Sequence, residues 1–133
     1  MLGLLGTKKF SNDDLIKELL NPTLNLENLN KIKEKSKIDL NSLSLNGEPI
    51  LIACCKKDLY NSCLWLLENK IDLELENNLK ESAIFYTIYS KDSKLLETLL
   101  EFGANLNHLN NKNRTVLQES IHNANKKIVR FLI

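Results

Sequence analysis

The sequence has little of what marks a secreted or membrane protein. It contains three cysteines in 133 residues, and an odd number without a secretory leader argues against a disulfide framework. The first ten residues, MLGLLGTKKF, hold an apolar run too short for a signal peptide, and Lys8 and Lys9 follow that run instead of preceding it. No stretch approaches the roughly 20 apolar residues that span a bilayer. We therefore expect a cytoplasmic protein that does not enter a membrane.

The sequence also lacks a large charge of either sign. Its 18 lysine and arginine residues are nearly matched by 17 aspartate and glutamate residues, for a formal net charge of +1 at pH 7. A nucleic-acid binder usually carries a basic excess that neutralises phosphates, so no nucleic-acid partner is expected. With 43% apolar and 26% charged residues, the composition is that of a folded globular protein. The length suits a single domain over residues 1–133.

Familiar catalytic motifs are missing as well. There is no glycine-rich nucleotide loop and no His-Glu-x-x-His metal motif. His108 and His122 have no serine, cysteine or aspartate nearby in an arrangement for nucleophilic catalysis. Asp13 and Asp14 are better explained as favourable charges at the start of a helix. We expect neither an enzyme nor a cofactor.

What the sequence does contain is a repeat of 33 residues. Leu66–Leu73 reads LLENKIDL, and one period later Leu99–Leu106 reads LLEFGANL. Lys37–Leu40 reads KIDL and lies one period before Lys70–Leu73, which has the same four residues. Each period holds two apolar stretches with helical spacing, which predicts two helices of about 8–10 residues joined by a tight turn. Helices this short are unstable alone, so neighbouring repeats are expected to stack as a solenoid.

The repeat resembles the ankyrin repeat, which has this period and two helices in each unit. Thr115–Leu117 occupies the place of the family's Thr-Pro-Leu entry, and Leu99–Asn107 is similar to its Leu-Leu-x-x-Gly-Ala-x-x-Asn ending. The resemblance implies an all-α, helix-turn-helix repeat solenoid. The units it implies are a degenerate N-terminal capping repeat at residues 11–43, repeats at 44–76 and 77–109, and a truncated C-terminal repeat at 110–133.

The sequence departs from the family pattern at two kinds of position. The histidine of the family's entry motif is replaced by Ile52, Phe85 and Gln118. The glycine that ends the second helix is present as Gly103 but is Lys70 one repeat earlier. We expect these changes to alter loop geometry and stability without changing the fold.

The remaining candidates for chemistry are Cys54, Cys55 and Cys63. Neighbouring residues on a helix point about 100° apart, and both histidines are distant in the sequence, so the converging ligands of a metal site are not expected. The resemblance places all three cysteines at core positions, which predicts buried free thiols. A metal, haem or redox carrier stays open as a less favoured alternative.

The resemblance implies a non-enzymatic module that binds a partner protein. In this family the partner usually binds the concave face, which consists of the hairpin tips and the exposed side of each first helix. Leu45, Leu79 and Tyr89 are expected to form its apolar centre. The predicted binding residues are Leu45, Asn46, Glu48, Lys56, Lys57, Asn78, Leu79, Glu81, Tyr89, Ser90, Lys112, Arg114, His122 and Asn123. The alternative is an immunity or antitoxin protein that blocks a toxin enzyme.

The end of the sequence is unusually apolar. Phe131, Leu132 and Ile133 are the last three residues, whereas the terminal repeat of a solenoid normally has a polar outer face. Self-association through this end, or cover by a partner, is left open by the sequence.

Overall fold

The computed structural model describes residues 10–133, which begin with a capped helical pair. Its helices are α1 (Asn12–Leu19) and α2 (Leu26–Lys35). Ser11 and Asp14 form a capping box at the start of α1, because each side chain accepts a hydrogen bond from the other residue's backbone N–H. Asn25 caps α2 in a simpler way, with its side chain accepting from one backbone N–H at 3.0 Å. These caps satisfy backbone donors that would otherwise lack partners.

Three further pairs follow along the chain. The first has a short hairpin, β1 (Ser44–Leu45) and β2 (Glu48–Pro49), before its helices α3 (Ile50–Lys56) and α4 (Tyr60–Glu68). The middle pair consists of a 3₁₀ helix (Ala83–Tyr89) and α5 (Lys94–Glu101). The last pair consists of α6 (Val116–His122) and α7 (Lys126–Leu132), and a short 3₁₀ turn (Leu40–Ser42) precedes the hairpin.

The 33-residue period recurs in the backbone itself. Left-handed φ angles occur at the tip before each first helix (Gly47, Lys80, Asn113), between the helices (Asp58, Ala124), and after the second helix (Lys70, Gly103). A left-handed residue ends a helix by turning the next N–H groups back toward its last carbonyls. Lys70 has this conformation, with φ of +64°, at the position where Gly103 has it one repeat later. The missing glycine therefore leaves the turn intact.

One apolar core runs through all four pairs. The first three pairs each contribute fully buried leucines. These are Leu15 and Leu29 from the first pair, Leu66 from the second and Leu99 from the third. Ile128 continues the core into the last pair at 1% exposure. Every repeat thus buries its apolar side against a neighbour, which supplies the stability that its short helices lack.

The predicted all-α repeat solenoid is confirmed by this architecture. Within residues 10–133, extended structure is limited to the two-residue strands β1 and β2. No helix in this range is long and apolar enough to cross a membrane. The repeat limits at residues 44, 77 and 110 stay a prediction.

The first helix of the middle pair differs from the expected α-helix. Its sequence, AIFYTIY, is rich in β-branched and aromatic residues, which lose side-chain freedom in an α-helix. The Thr87 hydroxyl donates to the Ile84 carbonyl at 2.6 Å, and the Ser90 N–H closes the helix on the Thr87 carbonyl at 3.1 Å. The backbone bond from Ser90 has the three-residue span of a 3₁₀ helix, and the Thr87 hydroxyl bond is a side-chain contact within the helix.

Candidate partner-binding surface

Two asparagines at equivalent places in successive repeats shape the tips. The Asn77 side-chain oxygen accepts from the backbone N–H groups two and four residues later, at 3.0 and 3.1 Å. Asn110 does the same at the same two distances. The two tips are joined by a hydrogen bond from the Asn111 N–H to the Leu79 carbonyl at 2.9 Å. Sequence reasoning did not single out Asn77 and Asn110, although their spacing of one period was the available signal.

The same asparagines connect the tips to the first helices. Asn77 donates to the Tyr86 hydroxyl at 2.7 Å, and Tyr86 donates to Glu81 at 2.8 Å. Asn110 contacts Glu81 at 3.2 Å and Glu119 at 2.9 Å. Burial, and then the hydrogen bond to Glu81, raise the pKa of the Tyr86 phenol, so its proton stays in place for the bond. We call these residues, together with Glu48, the concave polar network.

A basic side chain lies at each end of this network. Lys56 Nζ is 2.5 Å from Glu48 Oε1, and the Arg114 guanidinium is 3.6 Å from Glu119 Oε1. Glu119 is buried, with a side chain only 9% exposed. The carboxylates of Glu48, Glu81 and Glu119 therefore all have partners inside the protein.

A groove of about 610 Å³ adjoins the network between the first two tips. Its polar lining includes Lys56 and Lys57, and the Lys56 ammonium lies 4.8 Å from the centroid of the Tyr86 ring, a distance typical of a cation–π contact. The apolar part of the lining comes from Leu45, Ala53, Leu79 and the Tyr86 ring. A depression of this size can accept part of a ligand or of a partner chain.

The predicted apolar centre is present in part. Leu79 is 48% exposed and Tyr89 is 64% exposed, and the Tyr89 ring lies 6.3 Å from that of Tyr86. Leu45 was expected to point away from the core, but it is half-buried and packs against it. The reason is the hairpin, which pairs Leu45 with Glu48 directly before α3 and lays β1 on that helix.

The remaining predicted residues fall into two groups. The exposed ones are Asn46, Lys56, Lys57, Asn78, Lys112, His122 and Asn123. The half-buried ones are Glu48, Glu81, Ser90 and Arg114. Ser90 is already engaged, since its hydroxyl donates to the Asp58 carboxylate at 2.5 Å. Their role in binding stays a prediction.

His108 lies beside the second tip, in an acidic setting. Its Nε2 is 2.7 Å from Glu76, and its Nδ1 is 3.5 Å from Glu74. The ring also meets the edge of Phe85, with the two centroids 5.8 Å apart. The same Nε2 lies 3.1 Å from the Lys80 carbonyl. These contacts hold the loop before the third tip against the middle repeat, which is a structural role.

The predicted burial of Cys54, Cys55 and Cys63 is confirmed, and all three are free thiols. The sulfur atoms of Cys55 and Cys63 are 3.7 Å apart. Burial raises the pKa of the Cys54 thiol, which disfavours the reactive thiolate. Within residues 10–133, no group of three or more His, Cys, Asp and Glu side chains could hold a metal ion.

The last repeat exposes apolar residues on its outer side. Ile121 is 57% exposed and Phe131 is 38% exposed. Their equivalents one period earlier, Ile88 and Thr98, are only 2% and 7% exposed. Self-association through this face stays a prediction.

Comparison with known proteins agrees with the repeat architecture. The profile of the ankyrin repeats, in three copies, matches residues 50–133. An ankyrin repeat protein of Acanthamoeba polyphaga mimivirus is 31% identical over 80 residues, which are 59% of this chain and 10% of the viral protein. The crystal structure of EF0377, an ankyrin repeat protein, superposes with a TM-score of 0.68 at 22% identity, over 78% of this chain and 55% of that one. This chain thus spans about a tenth of the viral relative and about half of EF0377, and it belongs to the ankyrin repeat family.

Proposed function

We propose that this chain is a non-enzymatic module of the cytoplasm that binds a partner protein across its concave face. Ankyrin repeats are generally protein–protein interaction modules, and the family is typically non-enzymatic. The observation that carries the proposal for this chain is that Leu79 and Tyr89 are exposed beside the concave polar network. An apolar centre with a polar rim is the usual anatomy of an interface.

The network supports this proposal because it fixes the surface before a partner arrives. Asn77 and Asn110 hold the tips through bonds to backbone and side chains alike. The adjacent tips are bonded to each other through Asn111 and Leu79. A surface that is already ordered loses less conformational entropy on binding.

The test is the affinity of the Tyr89→Ala variant for the partner recovered by affinity capture and then purified. Truncating an aromatic hot-spot residue costs about 2 kcal/mol or more, which corresponds to roughly a thirtyfold loss of affinity. Stability should change by no more than about 0.5 kcal/mol, because Tyr89 is exposed. A toxin enzyme recovered as the partner would support the narrower immunity role.

Two control variants keep this test specific. Glu101→Ala changes an exposed residue on the second helix of the same repeat, and it should leave affinity unchanged. Leu99→Ala should instead cost roughly 2–5 kcal/mol of stability, because it opens a cavity at a fully buried site. The concave assignment is wrong if Tyr89→Ala binds normally while Glu101→Ala does not.

A further inference from the structure

Positive and negative side chains on the concave face differ in whether they already have a partner within the protein. The Glu48 carboxylate accepts from Lys56, the Glu81 carboxylate from Tyr86, and the Glu119 carboxylate from Asn110. Glu48 and Glu81 are half-buried and Glu119 is buried. A partner therefore meets these three negative charges only after they have been neutralised or hydrogen-bonded from within.

Three lysines on the same face are free. Lys57, Lys80 and Lys112 are exposed, and within residues 10–133 their ammonium groups make no hydrogen bond or ion pair. Lys57 lines the groove, Lys80 follows Leu79 at the second tip, and Lys112 lies on the third tip. Because the Asn111 N–H bonds to the Leu79 carbonyl, Lys80 and Lys112 lie on adjacent, connected tips. Unpaired positive charge thus extends along three successive repeats.

The apolar part of the groove lies within this row of charges. Leu45, Ala53 and Leu79 contribute aliphatic surface, and Tyr86 contributes its ring. The groove volume of about 610 Å³ exceeds what one side chain fills, so a side chain can enter together with part of its backbone. Lys57 lies in the same lining, where it can reach a carboxylate next to that apolar residue.

We propose that the concave face binds an acidic peptide segment of the partner, with one apolar residue of that segment seated in the groove beside Leu79. This inference rests on the proposed function and adds the chemistry of the ligand. Charge complementarity selects the acidic segment, because the free charges on the face are lysines while its carboxylates are occupied. The apolar groove favours a peptide over a nucleic-acid backbone, since a phosphate chain has no apolar group to bury there.

The experiment is a selection of random peptides displayed on phage against the purified full chain. The selected peptides should be enriched in Asp and Glu around one apolar residue. Synthetic copies should bind less tightly as salt rises, because exposed charges are screened. A basic or neutral consensus would overturn the inference, as would a single-stranded oligonucleotide that displaces the peptides as well as they displace one another.

A charge-reversed variant provides the direct test with these peptides. Lys57→Glu, Lys80→Glu and Lys112→Glu combined should weaken binding by about tenfold or more, since each exposed ion pair contributes up to about 1 kcal/mol. The matched control reverses three exposed lysines elsewhere, Lys31, Lys126 and Lys127, and should change affinity by less than about twofold. Equal losses of affinity in both variants would show that only the net charge of the protein matters, which would overturn the inference.

The same peptides separate this inference from the broader proposal. If the lysine reversal leaves the affinity of the peptides unchanged while Tyr89→Ala lowers it, the acidic ligand is refuted and concave binding is supported. Peptides that bind normally to Tyr89→Ala, to Leu79→Ala and to the lysine reversal would refute both. Circular dichroism on each variant, compared with the unmodified chain, establishes that a loss of binding does not come from unfolding.

Discussion

The first helices of the middle and last repeats occupy equivalent positions, yet different forces hold them. The helix at Ala83–Tyr89 is 3₁₀, and all its residues from Ala83 to Ile88 are buried. Helix α6 is a regular α-helix with only Val116, Glu119 and Ser120 buried. The backbone entering both helices is nearly the same, with ψ of 175° at Ser82 and 170° at Thr115.

The two helices differ in the residue three positions after the cap. In the last repeat Gln118 completes a capping box, accepting from the Thr115 N–H at 2.8 Å while Thr115 accepts in return. The equivalent residue in the middle repeat is Phe85, which has no such acceptor and is buried against His108. Ser82 is left with a buried hydroxyl that has no partner. Packing therefore holds the middle helix, and local hydrogen bonds hold the last one.

The largest effect should come from removing the packing of the middle helix. Phe85→Ala deletes a ring that is 2% exposed, and we expect a loss of about 3–5 kcal/mol in the free energy of unfolding. Gln118→Ala, at the equivalent position, should cost no more than about 1 kcal/mol because only a cap is weakened. Urea unfolding of both variants measures the two values. Similar losses would mean that both helices depend on the same kind of interaction.

The second effect concerns the two caps. Thr115→Ala should cost about 1 kcal/mol, because the threonine hydroxyl caps a backbone N–H. Ser82→Ala should be close to neutral or slightly stabilising, since it removes a buried hydroxyl without a partner. Thermal and urea unfolding measure the stability of this matched pair. A larger loss of stability in Ser82→Ala than in Thr115→Ala would contradict the comparison.

Sequence patterns could predict the features that repeat, and they failed where the same apolar pattern fits two local structures. The period in Leu66–Leu73 and Leu99–Leu106 predicted the solenoid, and the resemblance to the ankyrin repeat predicted the buried cysteines. The period could not predict the 3₁₀ helix, because Phe85 fits an apolar pattern equally well in either kind of helix. The inward orientation of the Leu45 side chain depends on the register of a two-residue hairpin, and a short sequence pattern does not determine that register.

The concave polar network could not be predicted from the sequence, for a related reason. Asn77 and Asn110 repeat at one period, but a single sequence does not tell a structural asparagine from a solvated one. Their partners Tyr86 and Glu119 also occupy equivalent positions while differing in chemistry. Only the fold brings each amide to its partner.

A smaller effect should distinguish the turns that follow the two first helices. Ala124 has a left-handed φ of +54°, whereas its equivalent Lys91 is not among the residues with positive φ. Ala124→Gly should raise the free energy of unfolding by about 0.5–1 kcal/mol, because glycine has no side-chain clash in that region. Lys91→Gly should give no gain and a small loss, because glycine adds freedom to the unfolded chain. A gain at both positions would mean that the two turns are alike.

The last effect is a pH dependence that arises in the middle repeat, where Tyr86 occupies the position of Glu119; it should be small at neutral pH and grow only above pH 10. The pKa of the Tyr86 phenol is raised by its burial and by its bond to Glu81. The unfolded chain therefore loses this proton first, near pH 10, and the stability it contributes below that pH declines as pH rises further, by at most about 1.4 kcal/mol per pH unit. Tyr86→Phe should be less stable at pH 8, because Asn77 and Glu81 lose a partner, yet its stability should fall less steeply above pH 10. The two proteins share every other side chain, so the difference between their plots of unfolding free energy against pH isolates the phenol. Parallel plots would contradict the assignment.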